Sequence, residues 1–84
     1  MMNSGGLPKI DLTTFILSVS SAAYMGLEEN STDLELARQN IDLLELIHEK
    51  TRGNRTPEED RMLEQLLFET RMRFVETQRK LAQK

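Results

Sequence analysis

Thr56-Pro57-Glu58-Glu59 opens the longest stretch of this chain without a helix breaker, and its reading settles the fold class. Threonine suits the N-cap, where its hydroxyl accepts a backbone N–H. Proline suits the first helical position, and glutamate three residues after the cap can reach back to the cap's own N–H. Neither proline nor glycine follows, so the pattern predicts a helix from Pro57 to about Lys80. Glu69–Arg73 and Glu76–Lys80 stand four apart with the acid first, the better orientation along a helix. Met62, Leu63, Leu66, Leu67, Thr70, Phe74 and Leu81, with Val75 beside Phe74, supply an apolar face.

Upstream of that start, Gly53 can take the left-handed position that ends a helix, with Lys50 and Arg52 suited to its negative end. The preceding helix is expected from a Thr32 N-cap, with Glu35 completing a second capping box, to about Arg52. It carries two adjacent stripes. One holds Leu34, Ala37, Ile41, Leu44 and His48; the other holds Leu36, Leu43 and Ile47 around Asn40. Across a short turn these two helices form an antiparallel hairpin. Asp11 can cap a first helix from about Leu12 to Leu27, and the polar segment Glu28–Ser31 separates it from the second. Strand alternation and internal repeats are both absent. The expected fold is therefore all-α: a short three-helix domain, one helix plus a helical hairpin, over residues 11–84. Residues 1–10, rich in Gly, Ser and Pro, form a flexible arm.

Such a domain is short of core. A chain of 84 residues buries only about 60–65% of its unfolded surface, and without cysteine it has no disulfide or thiolate metal to reinforce it. The first helix is apolar on most of its circumference: Leu12, Phe15, Ile16, Leu17, Val19, Tyr24, Met25 and Leu27 follow one another with no charge between. One hairpin cannot surround it. The third helix, at 1.5 Å per residue, is about 14 Å longer than the first and overhangs the bundle with Phe74, Val75 and Leu81. A core completed by oligomerisation, most simply a homodimer, answers both features. Its interface candidates are Phe15, Ser18, Val19, Ala22, Met25 and Gly26 on the first helix, and Phe74, Val75 and Leu81 on the third. Ser18, Ala22 and Gly26 form a small-residue row that admits a close helix, either from the same chain or from another.

Chemistry finds little support. His48 is the lone histidine. With Glu45 it makes a Glu-x-x-His pair, a spacing used by di-iron bundles, but those sites need further carboxylates from neighbouring helices. A structural histidine explains it better, and no metal or cofactor is expected. One histidine also gives no basis for a hydrolase triad. The basic loop Lys50–Arg55 lacks the strand and spacing of a phosphate loop, and Glu58, Glu59 and Asp60 already provide the negative charge that the next helix start favours. Met25, Met62 and Met72 read as core or interface filler.

The formal charge is −3, but residues 1–70 hold 6 Lys and Arg against 13 Asp and Glu, whereas Arg71, Arg73, Arg79, Lys80 and Lys84 face only Glu76 in the remainder. The acidic balance argues against a nucleic-acid partner, leaving the basic helix end as the one route to it. Leu12–Leu27 is too short and too rich in Ser and Thr for a membrane span. It makes a poor signal peptide, because Asp11, Thr13 and Thr14 interrupt its start. Docking onto a lipid surface through it would want basic flanks, and its flanks are Asp11, Glu28 and Glu29.

The segments Asp11-Leu-Thr-Thr-Phe15-Ile-Leu-Ser18, Asp33-Leu-Glu-Leu-Ala-Arg-Gln-Asn-Ile41-Asp42, Glu49-Lys-Thr-Arg-Gly53-Asn54 and Arg71-Met-Arg-Phe74-Val-Glu76 together resemble a bacterial family of short helical proteins, the domain of unknown function 1844. Arg55 and Phe74 stand where the family pattern leads one to expect Leu and Tyr. The resemblance implies a bacterial, cytoplasmic protein with an α-helical fold, and it implies no reaction. The expected function is that of a non-enzymatic helical module that self-associates and docks onto a protein partner. Membrane attachment through the first helix and nucleic-acid binding through the third are the alternatives.

Overall fold

The computed structural model describes residues 11–83, so the expected arm over residues 1–10 lies outside the described residues. Three helices follow in order: α1 (Leu12–Met25), α2 (Leu34–Lys50) and α3 (Pro57–Ala82). The described residues are all-α, as the sequence leads one to expect, with α2 and α3 as the hairpin and α1 laid against it.

Each helix begins at a side-chain cap. Asp11 accepts from the Thr14 amide at 2.8 Å. Thr56 and Glu59 exchange bonds in a complete capping box, at 3.1 Å and 2.8 Å. The start of α2 differs from the expected Thr32 box. Asp33 is the N-cap and accepts from the Leu36 amide at 3.1 Å, while the Thr32 hydroxyl donates backwards to the Glu28 carbonyl at 2.7 Å. The polar connection has taken that threonine for its own turn, and the next residue caps instead. At the other end α2 stops at Lys50, and Gly53 adopts φ +82 as expected of the turn.

The core runs between all three helices. Ile16 and Val19 of α1 meet Leu44 and Ile47 of α2 and Leu63 and Leu67 of α3, with Leu12, Met62 and Leu66 packed around them. Towards the other end of α1, Ala23 and Leu27 are buried, as are Ala37 and Ile41 of α2. Two polar side chains are buried with them. Each is satisfied within its own helix: the Ser20 hydroxyl donates to the Ile16 carbonyl, and that of Thr70 to the Leu66 and Leu67 carbonyls.

Gly26 fixes how α1 meets α2. A Cβ on Gly26 would sit 2.6 Å from the Asp33 carbonyl oxygen and 2.7 Å from the Ala37 amide nitrogen, closer than real Cβ contacts allow. The backbones touch there, and the Asp33 amide donates to the Gly26 carbonyl at 2.8 Å. The glycine of the small-residue row therefore packs within the chain.

The body is thin. Its principal extents are 53 × 32 × 16 Å, and two packed helix backbones already occupy about 13–15 Å. Its radius of gyration of 14.9 Å exceeds the roughly 12 Å of a compact chain of this length. Among the described residues, no second layer covers the outer sides of α1 and α3.

Candidate functional site

Two faces stand out. On α1, Phe15, Ser18, Ala22 and Met25 recur at helical spacing on the side away from the core. Phe15 and Met25 are exposed, Ser18 is exposed, and Ala22 is half-buried. The apolar ends of this face lie ten residues apart, about 15 Å along the axis, with small side chains between. Leu17 adds an exposed side chain at one flank.

The second face is on α3. Phe68, Met72 and Val75 follow one another at intervals of four and three, and their exposures are 64, 50 and 48%. On a helical wheel their mean direction lies roughly 140° round from that of Leu63, Leu67, Thr70 and Phe74, the side that α3 turns inward, with Met72 opposite it and Val75 at the flank that borders α2. Glu64 and Arg79 bracket the stripe at its two ends, and the surface between them is a shallow groove of about 540 Å³.

The sequence-derived interface residues divide accordingly. Phe15, Ser18, Met25, Val75 and Leu81 are exposed, while Ala22 and Phe74 are half-buried. Val19 and Gly26 are corrections. Val19 is 6% exposed within the core between the helices, and Gly26 is buried against the start of α2, so neither is free to meet a second chain. Leu81 sits on the inner side of α3 and is exposed because α3 outruns the other helices. Phe68 is not among the interface residues expected from the sequence. Its signal was the spacing Phe68, Met72, Val75, an outer stripe parallel to the core stripe and as apolar at its centre.

The polar side chains of possible chemical use are engaged with one another across helices. His48 Nε2 lies 2.6 Å from Glu64 Oε2. Glu45 accepts from Arg71 Nε at 3.0 Å and Nη2 at 2.5 Å. The Glu-x-x-His pair is thus split between two partners on α3, and no group of three or more potential metal ligands occurs among the described residues. Arg55, its side chain 8% exposed, donates to the His48 carbonyl at 2.7 Å, the Thr51 hydroxyl at 3.0 Å and Asp60 at 2.7 Å. It ties the end of α2 to the start of α3, and this fastening occupies the loop in which an anion site was conceivable.

Tyr24 has a titration shift with a visible cause. Its hydroxyl donates to Glu69 Oε1 at 3.3 Å, and the Arg73 guanidinium carbon lies 5.8 Å from its ring centroid. Burial raises the phenol above its ordinary value, and the negative charge and hydrogen bond of Glu69 raise it further; Arg73 pulls the other way. Glu69 and Arg73 form no ion pair with each other. Both turn to Tyr24.

The model of the family called domain of unknown function DUF1844 matches residues 9–76. The chain belongs to this family. The match takes in α1, α2 and the outer stripe of this DUF1844 domain from Phe68 to Val75, and ends before Arg79 and Leu81. No curated protein and no solved structure matches the chain. Among the described residues, no helix is long and apolar enough to cross a membrane.

Proposed function

We propose that this domain is a non-enzymatic self-association and protein-interaction module of the bacterial cytoplasm. The observation that carries the reading is the pair of apolar helix faces, Phe15 to Met25 on α1 and Phe68 to Val75 on α3, that the three-helix body leaves open to water. Apolar surface gathered on the outer side of a helix gains free energy when another surface covers it. The thinness of the body favours the same reading, since a single hairpin and one helix supply little core of their own.

The charged groups have local roles, which favours binding over catalysis. His48 with Glu64, Glu45 with Arg71, and Arg55 with Asp60 hold the helices together. Lipid docking through α1 is disfavoured by the acids that flank it. For nucleic acid, two of the five basic residues near the C-terminus are already engaged, Arg71 with Glu45 and Arg73 with Tyr24.

Light scattering at low and high protein concentration tests the reading. A dimer or larger assembly supports self-association, and a folded monomer across the range removes it. Co-sedimentation with anionic vesicles, or a gel shift that weakens with salt, would replace the module reading with one of the alternatives.

A further inference from the structure

We infer that the outer stripe of α3 seats the same stripe of a second copy of this chain, the two α3 helices lying antiparallel about a two-fold axis that passes between Arg71 and Met72. The inference rests on the reading of the domain as a self-associating module and names its partner and register.

The stripe itself suggests the register. On a helix turning about 100° per residue, Glu64, Phe68, Met72, Val75 and Arg79 fall within an arc of about 80°. They read in order: acid, phenylalanine, methionine, valine, base. A two-fold interface brings each residue against a different residue of the copy unless it lies on the axis. With the axis between Arg71 and Met72, Phe68 of one chain faces Val75 of the other. Glu64 then faces Arg79, and each pairing occurs twice. At the axis each Met72 lies against the aliphatic stem of the copy's Arg71 and diagonal to the copy's Met72, and both ends meet opposite charge. A parallel arrangement would instead set Glu64 beside Glu64 and Arg79 beside Arg79, which costs affinity.

The neighbouring side chains permit this approach. Arg71 beside the axis is drawn towards α2 by Glu45, and Glu64, whose side chain is 59% exposed, pairs with His48 yet keeps much of its surface in water. Phe68, the most exposed large hydrophobic residue among those described, stands where an aromatic anchor contributes most to an interface. The α1 face fits a second copy less well: its centre is Ser18, Ser21 and Ala22, and charge is missing from the whole helix.

Native mass measured over a dilution series, with helicity checked by circular dichroism, tests the pairing. The wild-type chain is expected to be dimeric at about tens of micromolar. Phe68→Asp, at a position without a core role, should raise the dissociation constant at least about tenfold and leave the fold intact. Met25→Asp on α1 should not. Arg79→Glu alone should weaken the dimer, and Glu64→Arg with Arg79→Glu should restore it, because reversed charges face each other again. A dimer that survives Phe68→Asp but dissociates with Met25→Asp overturns the inference and leaves self-association standing. A dimer broken by Phe68→Asp that the double reversal fails to restore overturns the antiparallel register. A monomer throughout overturns the inference together with the reading beneath it.

Discussion

The Tyr24 hydroxyl donates to Glu69 Oε1, and by this bond the last turn of α1 reaches the middle of α3, 45 residues along the chain. It is the polar counterpart of the apolar contact between Ile16 or Val19 and Leu63 or Leu67, and it lies at the edge of the body, where it can be titrated.

Tyr24 is the sole tyrosine, so ultraviolet absorbance follows its ionisation directly. The midpoint is expected above the ordinary value of 10, and Glu69→Gln should bring it part of the way down, since burial remains. A phenol whose pKa rises on folding contributes stability that is fully present below the unfolded value, and that stability is lost as pH climbs through the folded one. Alkaline melting should therefore show a loss above about pH 10 that is smaller in Tyr24→Phe.

The two glycines of the described chain should fail for different reasons. Gly26→Ala places a methyl against backbone atoms of Asp33 and Ala37 that cannot swing away, and an overpacked contact of this kind costs about 1–3 kcal/mol. A Cβ at Gly53 meets nothing within 4 Å, but its φ of +82 strains an L residue. Gly53→Ala should cost about 1 kcal/mol and Gly53→Asn less, because asparagine tolerates that region. Urea denaturation of the three variants separates the cases.

Arg55→Ala should cost about 1–3 kcal/mol by chemical denaturation, because the His48 carbonyl, the Thr51 hydroxyl and Asp60 all lose one guanidinium. Most of that belongs to the bonds with the end of α2, since Asp60 is half exposed and an exposed ion pair is worth little. Arg55→Lys should recover only a minor part, for a single ammonium cannot span the three acceptors.

Thr56, the N-cap of α3, and Thr70 within it differ in what their hydroxyls satisfy. Thr56→Ala removes a cap and should cost about 1 kcal/mol. Thr70, though fully buried, bonds only to carbonyls of its own helix, so Thr70→Val should fall within about 1 kcal/mol of the wild type. Melting curves that rank the two the other way would contradict these roles.

Local chemistry made the helix starts and the fold class legible. Thr56, Pro57 and Glu59 act within one turn of each other, and a turn is what a sequence motif describes. The shift of the α2 cap from Thr32 to Asp33 was hidden because the bond from Thr32 to the Glu28 carbonyl depends on the turn before it. Periodicity also places a stripe on a helix without saying which stripe turns inward. Ile47 lies on the second stripe of α2 and is buried, while Leu43 of the same stripe is 41% exposed. Phe68 is hard to place by spacing for the same reason. Ion pairing shows the largest gap: Glu69–Arg73 was expected from spacing alone, whereas Glu45–Arg71 joins residues 26 apart and needed the hairpin's geometry to be seen.

A body scarcely two helices deep also changes how its melting should be understood. A partner that covered Phe68 or Met25 would bind the folded chain and find no such stripe on the unfolded one, so it would draw the folding equilibrium towards itself by mass action. If a second copy of the chain is what covers Phe68, the apparent melting temperature rises with protein concentration, and a dilute sample understates the stability of a concentrated one.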